Sequence, residues 1–424
     1  MTKSLSKQKE TLFVDRQMKK IINNILLILF AGLTVQELHA QKLDQEHLSV
    51  SVYTGDTHML NALHIYDKLI NTKDCIRAGV TVGVNTKPSD NNYWAWAWNL
   101  PQYGLGFSYT NMGGIKCRPG SSLGDVYSLY GHAHFDLVRT RHFTFGPNME
   151  FGASYITKTW NAVTNPLNSF VGTPVLVMVE MGLEAGFHLT PQWEIGLNAM
   201  LIHRSNGMLK VPNHGLNEIA GNLYLKYNLA ERHLGGRGPK PEEPEYRKWI
   251  YDIYFSGGVH SCDVERSIYQ DIVLPEKGGP DEWANSKQWL RLNLGGTVSY
   301  RYHPLFATGI GLDLTYTQNW KRLAEYGQIL AKHEGTVPTT TDLCPVYLGA
   351  YIQQSFFYKN VEIGIGLGIY LFKRLGIEDS TWNYQRTLIR YHIPKAGNIF
   401  FGFAMRAHKF DRSDTLEFSF GKRF

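Results

Sequence analysis

The chain has 424 residues, 43 of them basic and 37 acidic, a formal net charge of +6 that falls to +3 once residues 1–40, with six bases and three acids, are set aside. So mild a balance excludes the strongly basic surface that nucleic-acid binding demands. The mean hydropathy of −0.26, and the lack beyond residue 40 of any run near the ~18 apolar residues of a spanning helix, exclude a helical membrane protein.

The first residues read as a processing signal. Met18-Lys19-Lys20 opens a basic region, Ile25 to Leu33 forms a short apolar core, and Leu38-His39-Ala40 before Gln41 is a small-residue cleavage site. Met1 to Gln17 reads as an upstream extension, so residues 1–40 are expected to be extension plus signal peptide. The remainder of the chain is rich in Tyr, Phe, Trp and Gly, with apolar residues at every second position over stretches of roughly ten, the signature of an outer-membrane β-barrel.

In chain order the alternation predicts eight strands in residues 41–230, near 48–54, 75–84, 101–110, 124–137, 142–157, 177–189, 192–205 and 217–229. A proline-rich, polar segment, 231–247, is the linker. Eight more strands are predicted in residues 248–424, near 248–259, 288–302, 307–317, 345–358, 361–372, 383–394, 397–408 and 415–424. Brief connections such as Arg139-Thr140-Arg141, Thr190-Pro191-Gln192 and Tyr358-Lys359-Asn360 alternate with long ones such as 158–176, 260–287 and 318–344. Short turns are periplasmic and long loops external, which makes the linker periplasmic and puts residues 203–207 at the outer rim. Asn91 to Leu100 breaks the rule, being periplasmic by parity yet long.

The chain ends with Leu416, Phe418, Phe420 and the terminal Phe424 on one face, as barrel-assembly signals do. One such signal and an even strand total point to an all-β, sixteen-stranded transmembrane antiparallel barrel in two halves. Two tandem eight-stranded barrels, which the linker favours, are the alternative. Cys75 and Cys117 border outer loops of the first half, and Cys262 and Cys344 those of the second, so each half has a candidate disulfide pair. Their spacing suits no zinc site, and neither metal nor cofactor is expected.

The seventh strand carries the chemistry. Trp193, Ile195, Leu197, Ala199 and Leu201 define its apolar face, and His203 and Ser205 continue it. The i, i+2 spacing sets an imidazole beside a hydroxyl, within reach of a base–nucleophile hydrogen bond, on a face turned to lipid. In the second half His408 follows Arg406, but Phe410 stands where the serine would be and parity turns His408 to the lumen, a structural role. His260-Ser261 reads as loop surface.

The run His203-Arg204-Ser205-Asn206-Gly207 followed by Pro212-Asn213-His214-Gly215-Leu216-Asn217 resembles the active site of the PagL-type lipid A 3-O-deacylases and their Bacteroidetes-like relatives, often labelled acyloxyacyl hydrolases. The resemblance implies an outer-membrane serine esterase that removes an acyl chain from lipid A, with His203 the base and Ser205 the nucleophile. It also implies oxyanion donors in the Asn206 side chain and the Met208 N–H. The family's Glu position, which orients the base, holds Asn217 here, with Glu218 one residue later. Parity with Ile219, Leu223 and Leu225 puts Asn217 on the face of His203 and Ser205 and turns Glu218 inward, unless a bulge reverses the faces. Asn217 is therefore the expected orienter and Glu218 the alternative. A phospholipase-like esterase and a non-catalytic pore or scaffold barrel are the rival functions.

Overall fold

The computed structural model describes residues 48–59, 70–71, 75–117, 121–161, 164–165, 168–261, 287–336, 343–375, 382–408 and 412–424. The processing signal lies outside the described residues, as do the side chains of Cys117 and Cys262, and with them both disulfide pairings.

Sixteen long strands carry the fold. In the first half they are β1 Leu48–Met59, β2 Cys75–Asn85, β3 Gln102–Thr110, β4 Val126–His134, β5 Phe143–Ile156, β6 Val175–His188, β7 Trp193–Ser205 and β8 Leu216–Asn228. In the second they are β9 Trp249–His260, β10 Trp289–His303, β11 Phe306–Thr317, β12 Val346–Tyr358, β13 Val361–Phe372, β14 Asn383–Ile393, β15 Ile399–His408 and β16 Arg412–Arg423. Along them, outward side chains, apolar and exposed in most strands, alternate with buried inward ones, as a barrel wall between lipid and a filled lumen requires. No helix among the described residues is long and apolar enough to cross a membrane.

The expected single barrel of sixteen strands is not what forms. β8 turns back onto β1, Asn228 opposite Ser49 through Glu218 opposite Met59, and so closes the first eight strands before the linker begins. β9 to β16 close a second barrel, with Asp252 opposite Arg423 and Gly257 opposite Phe418. The physical reason lies in the inward side chains. Sixteen strands would enclose a water-filled channel, whereas eight leave only enough room for side chains to fill. Here Arg77, Arg204, Glu180, Tyr130 and Tyr224 fill the first lumen, and Arg386, Arg390, Arg406, Tyr254 and Tyr384 the second, all buried. Each half thus satisfies its own strand edges.

Both barrels point the same way. The aromatic pairs Trp193–Tyr227 and Trp249–Tyr300, 4.7 and 5.1 Å between ring centroids, sit at the short-turn end of their barrels, where an interfacial girdle belongs. The long segment between β2 and β3, at the short-turn end, holds a short helix, α1 Tyr93–Ala97, whose N-terminus is capped by the Asn92 side chain. Its length serves contact with the second barrel. Trp98 Nε1 donates to the Phe357 carbonyl at 3.4 Å, and Trp94 packs with Ile250, Ala307 and Phe357. Arg237 of the linker lies over the Trp96 ring at 4.4 Å. A second helix, α2 Trp320–Glu334, occupies an outer connection of the second barrel and buries Leu323 against Tyr347 and Leu375.

Candidate active site

The site is built on the β7–β8 hairpin. The pairing sets His203 directly opposite Asn217, and Ile202 opposite Glu218. Facing residues on one side of an antiparallel pair have side chains close enough to bond, and His203 Nδ1 lies 2.7 Å from Asn217 Oδ1. An amide oxygen only accepts, so Nδ1 carries the proton and donates it, which leaves Nε2 bare. The imidazole is thus held in the tautomer a general base needs.

Arg204, between the two motif residues, is the member that sequence reasoning passed over. Its side chain is fully buried in the lumen, where it pairs with Glu218, with Glu180 at 3.4 Å and with the Ser154 hydroxyl at 3.2 Å. Glu218 also accepts from Thr57 Oγ1 at 3.1 Å. This network continues through Glu180 to Arg77, 2.8 Å away. Because neighbours on a strand point oppositely, locking Arg204 inward fixes His203 and Ser205 outward. A charged residue at an inward position inside an apolar-out strand was the available signal.

Beyond Ser205 the chain turns sharply. Gly207 and Met208 both have positive φ, 61° and 66°, and Leu209 N–H donates to the Asn206 carbonyl at 3.2 Å, the features of a type I′ turn. Gly207 N–H points at Ser205 Oγ from 3.4 Å. Among the described residues the Met208 N–H has no acceptor, and no hydrogen bond joins Ser205 to His203. The Asn206 side chain turns back into the loop: one amide hydrogen goes to the Lys210 carbonyl at 2.7 Å, while its backbone N–H donates to Asn213 Oδ1 at 3.0 Å. A nucleophile–base hydrogen bond such as Ser205–His203 commonly forms only when substrate is bound.

The returning chain passes close beneath the imidazole. Gly215, at φ 73°, would with any Cβ meet the Arg204 carbonyl at 3.0 Å and His203 Cε1 at 3.1 Å. Its N–H is held by the Phe170 carbonyl at 3.0 Å. Phe170, Val171, Leu176 and Leu216 belong to the buried apolar cluster at the outer end of the barrel, so the loop rests on a solid floor.

His260-Ser261, read as loop surface, is buried instead: both side chains are at most 2% exposed. Ser261 lies against the site, its N–H donating to the Met208 carbonyl at 2.7 Å. His408 faces the second lumen, 2.7 Å from the Tyr370 hydroxyl. No group of side chains that could hold a metal ion occurs among the described residues.

An eight-stranded closed barrel with an apolar outer wall and a lumen filled by side chains defines a class, the small outer-membrane β-barrels. Residues 76–226 match the family model described as lipid A 3-O-deacylase (PagL), and residues 249–424 that described as acyloxyacyl hydrolase, C-terminal domain. The chain thus joins a PagL-type lipid A 3-O-deacylase domain to an acyloxyacyl hydrolase C-terminal domain, the make-up of an outer-membrane lipid A deacylase. Among solved structures, the outer membrane enzyme PagL aligns at 16% identity and TM-score 0.27, covering 42% of this chain and 98% of its own. Neisserial surface protein A aligns at 11% and 0.26, covering 43% and 96%. The β domain of the Bordetella autotransporter BrkA aligns at 12% and 0.22, covering 90% and 99%. No curated protein matches the sequence.

Proposed function

We propose that this lipid A deacylase is a serine esterase in which Ser205 is the nucleophile, His203 the general base and Asn217 the residue that orients the base. The observation that carries the reading is the 2.7 Å bond from His203 Nδ1–H to Asn217 Oδ1, since it leaves Nε2 free to take a proton. Ser205 Oγ attacks the carbonyl carbon of an ester-linked acyl chain while its proton passes to His203 Nε2. The tetrahedral intermediate collapses, the bond from carbonyl carbon to sugar oxygen breaks, and the proton moves from His203 to that oxygen. Water then repeats the sequence and releases the fatty acid.

Charge on the intermediate's oxygen needs donors already in place. The Met208 N–H, which has no acceptor among the described residues, and the Gly207 N–H, already turned to Ser205, supply them. The Asn206 amide, with one hydrogen committed to Lys210, shapes the turn and has a second hydrogen to offer. Glu218, bound to Arg204 inside the barrel, acts as a structural counter-charge. The substrate enters from the outer leaflet, and the reaction calls on no metal or cofactor.

The test is mass spectrometry of lipid A from cells making the wild type, Ser205→Ala or His203→Ala, with folding checked by heat-modifiable migration. Each variant should lose deacylation by at least about 10³-fold while still folding, because each change only trims a side chain and adds neither bulk nor charge. An active Ser205→Ala protein would overturn the mechanism, and release of fatty acid from glycerophospholipid in preference to lipid A would move the substrate to the phospholipase class.

A further inference from the structure

We propose that the second barrel positions the turn that supplies the oxyanion donors of the first, so that the active site is complete only with both barrels side by side. The inference rests on the functional reading above. It begins from the turn itself, which holds a methionine at φ 66°, a conformation that side-chain-bearing residues adopt only when something fixes it.

What fixes it comes from the other barrel. The Met208 carbonyl accepts from Ser261 N–H at 2.7 Å, and the Leu209 carbonyl from Ser261 Oγ at 3.2 Å and Gln288 Nε2 at 2.8 Å. Asn213, whose Oδ1 holds the Asn206 N–H, donates its own amide hydrogen to Ser413 Oγ at 3.2 Å. A Cβ on Gly207 would lie 2.8 Å from the Leu416 Cβ, so the turn is seated against β16 with no room for a side chain. Ser261 follows β9, Gln288 precedes β10, and Ser413 and Leu416 lie on β16. β9 pairs with both β10 and β16, so these contacts come from one stretch of rim.

The consequence is mechanical. The two peptides that follow the Met208 N–H are tied to the second barrel through the Met208 and Leu209 carbonyls, and Ser205 to the first through β7. The Met208 N–H therefore points where the relative placement of the barrels puts it. Ser261 is a positioning residue: it touches no reacting atom and acts through Met208.

The full-length protein in lipid A–detergent micelles tests this. Ser261→Pro removes the N–H that holds Met208, and Leu416→Trp pushes into Gly207. Each should lower kcat by about 10- to 100-fold, the effect of misplacing a catalytic group by about 1 Å, and leave KM within about threefold. Phosphonylation of Ser205 by a fluorophosphonate should slow in parallel, since it passes through the same oxyanion. Ser261→Ala, which keeps the N–H, should restore most of the rate. Trp98→Phe, which removes a contact between the barrels at the opposite end, should leave both readouts unchanged. Heat-modifiable migration checks folding, and if Ser261→Pro does not fold, Leu416→Trp decides. Wild-type kcat and labelling in folded Leu416→Trp, or a change in KM alone, would overturn the proposal. An active Ser205→Ala run beside them would instead overturn the reading of the site itself.

Discussion

At the scale of single residues, the division of labour between Asn217 and Glu218 is what most sharply separates this site from its family pattern. Asn217 meets the imidazole at 2.7 Å, while the neighbouring carboxylate is buried against Arg204. Asn217→Ala should lower kcat by about 10²- to 10⁴-fold, as when a base loses the group that orients it. Asn217→Glu should retain activity, because a carboxylate supports the imidazolium formed as Ser205 is deprotonated. Glu218→Gln should leave the turnover of folded protein intact and lower its melting temperature, since it halves the counter-charge on a buried guanidinium. Steady-state rates and melting curves of the three variants check the ranking; an inactive, fully stable Glu218→Gln would reverse it. Gly215→Ala should also cost activity, by about 10- to 100-fold, through a Cβ forced against His203 Cε1 at a left-handed φ. The motif marked this glycine in the sequence, but its reason, a side chain twelve positions away, is visible only in the fold.

At the scale of elements, the sequence marked all sixteen strands, and its largest error was the end of β1. There Gly55, Asp56, Thr57 and His58 break the apolar alternation, yet they pair in register with Asn222 to Ile219 of β8. Backbone pairing carries a strand past the point where its side chains advertise it. The linker held a similar surprise in Arg232, which leaves the polar segment to enter the lumen and bonds Asp136 and Glu194, each at 2.7 Å. Burial would raise the Asp136 carboxyl's pKa, but Arg232 and His134 hold it well below the usual carboxylate range. Arg232→Ala should destabilise the first barrel by about 3–5 kcal/mol, the cost of leaving buried charges unpaired. Because the folded pKa of Asp136 is depressed, its contribution is full above the unfolded value near ~4 and is lost as pH falls toward the folded one. The melting-temperature gap between wild type and Asp136→Asn should accordingly narrow on acidification below about pH 4, and a gap that widens would contradict the assignment.

At the scale of the molecule, two closed eight-stranded barrels replace one large one, and their lumens are crossed by side chains such as Arg77 between Glu150 and Glu180, and Arg386 stacked on Tyr254. A protein built this way should give no porin-like conductance steps in planar bilayers. Steady ohmic steps that persist in Ser205→Ala would restore the pore reading. The barrels meet at both ends, through Trp94 and Trp98 at the short-turn end and through Ser261, Ser413 and Leu416 at the long-loop end.

Local chemistry was enough to determine the β class, the strand count and the placement of His203 and Asn217 on one face, opposite to Arg204, since each derives from a period of two read against apolar and polar residues. How the strands close was beyond it. Closure depends on which distant edge satisfies β8, and on whether large inward side chains fill the space enclosed, and both are properties of the assembled sheet. The same holds for Ser261, Leu416 and the α1 tryptophans, whose roles arise from contacts between segments that only folding brings together.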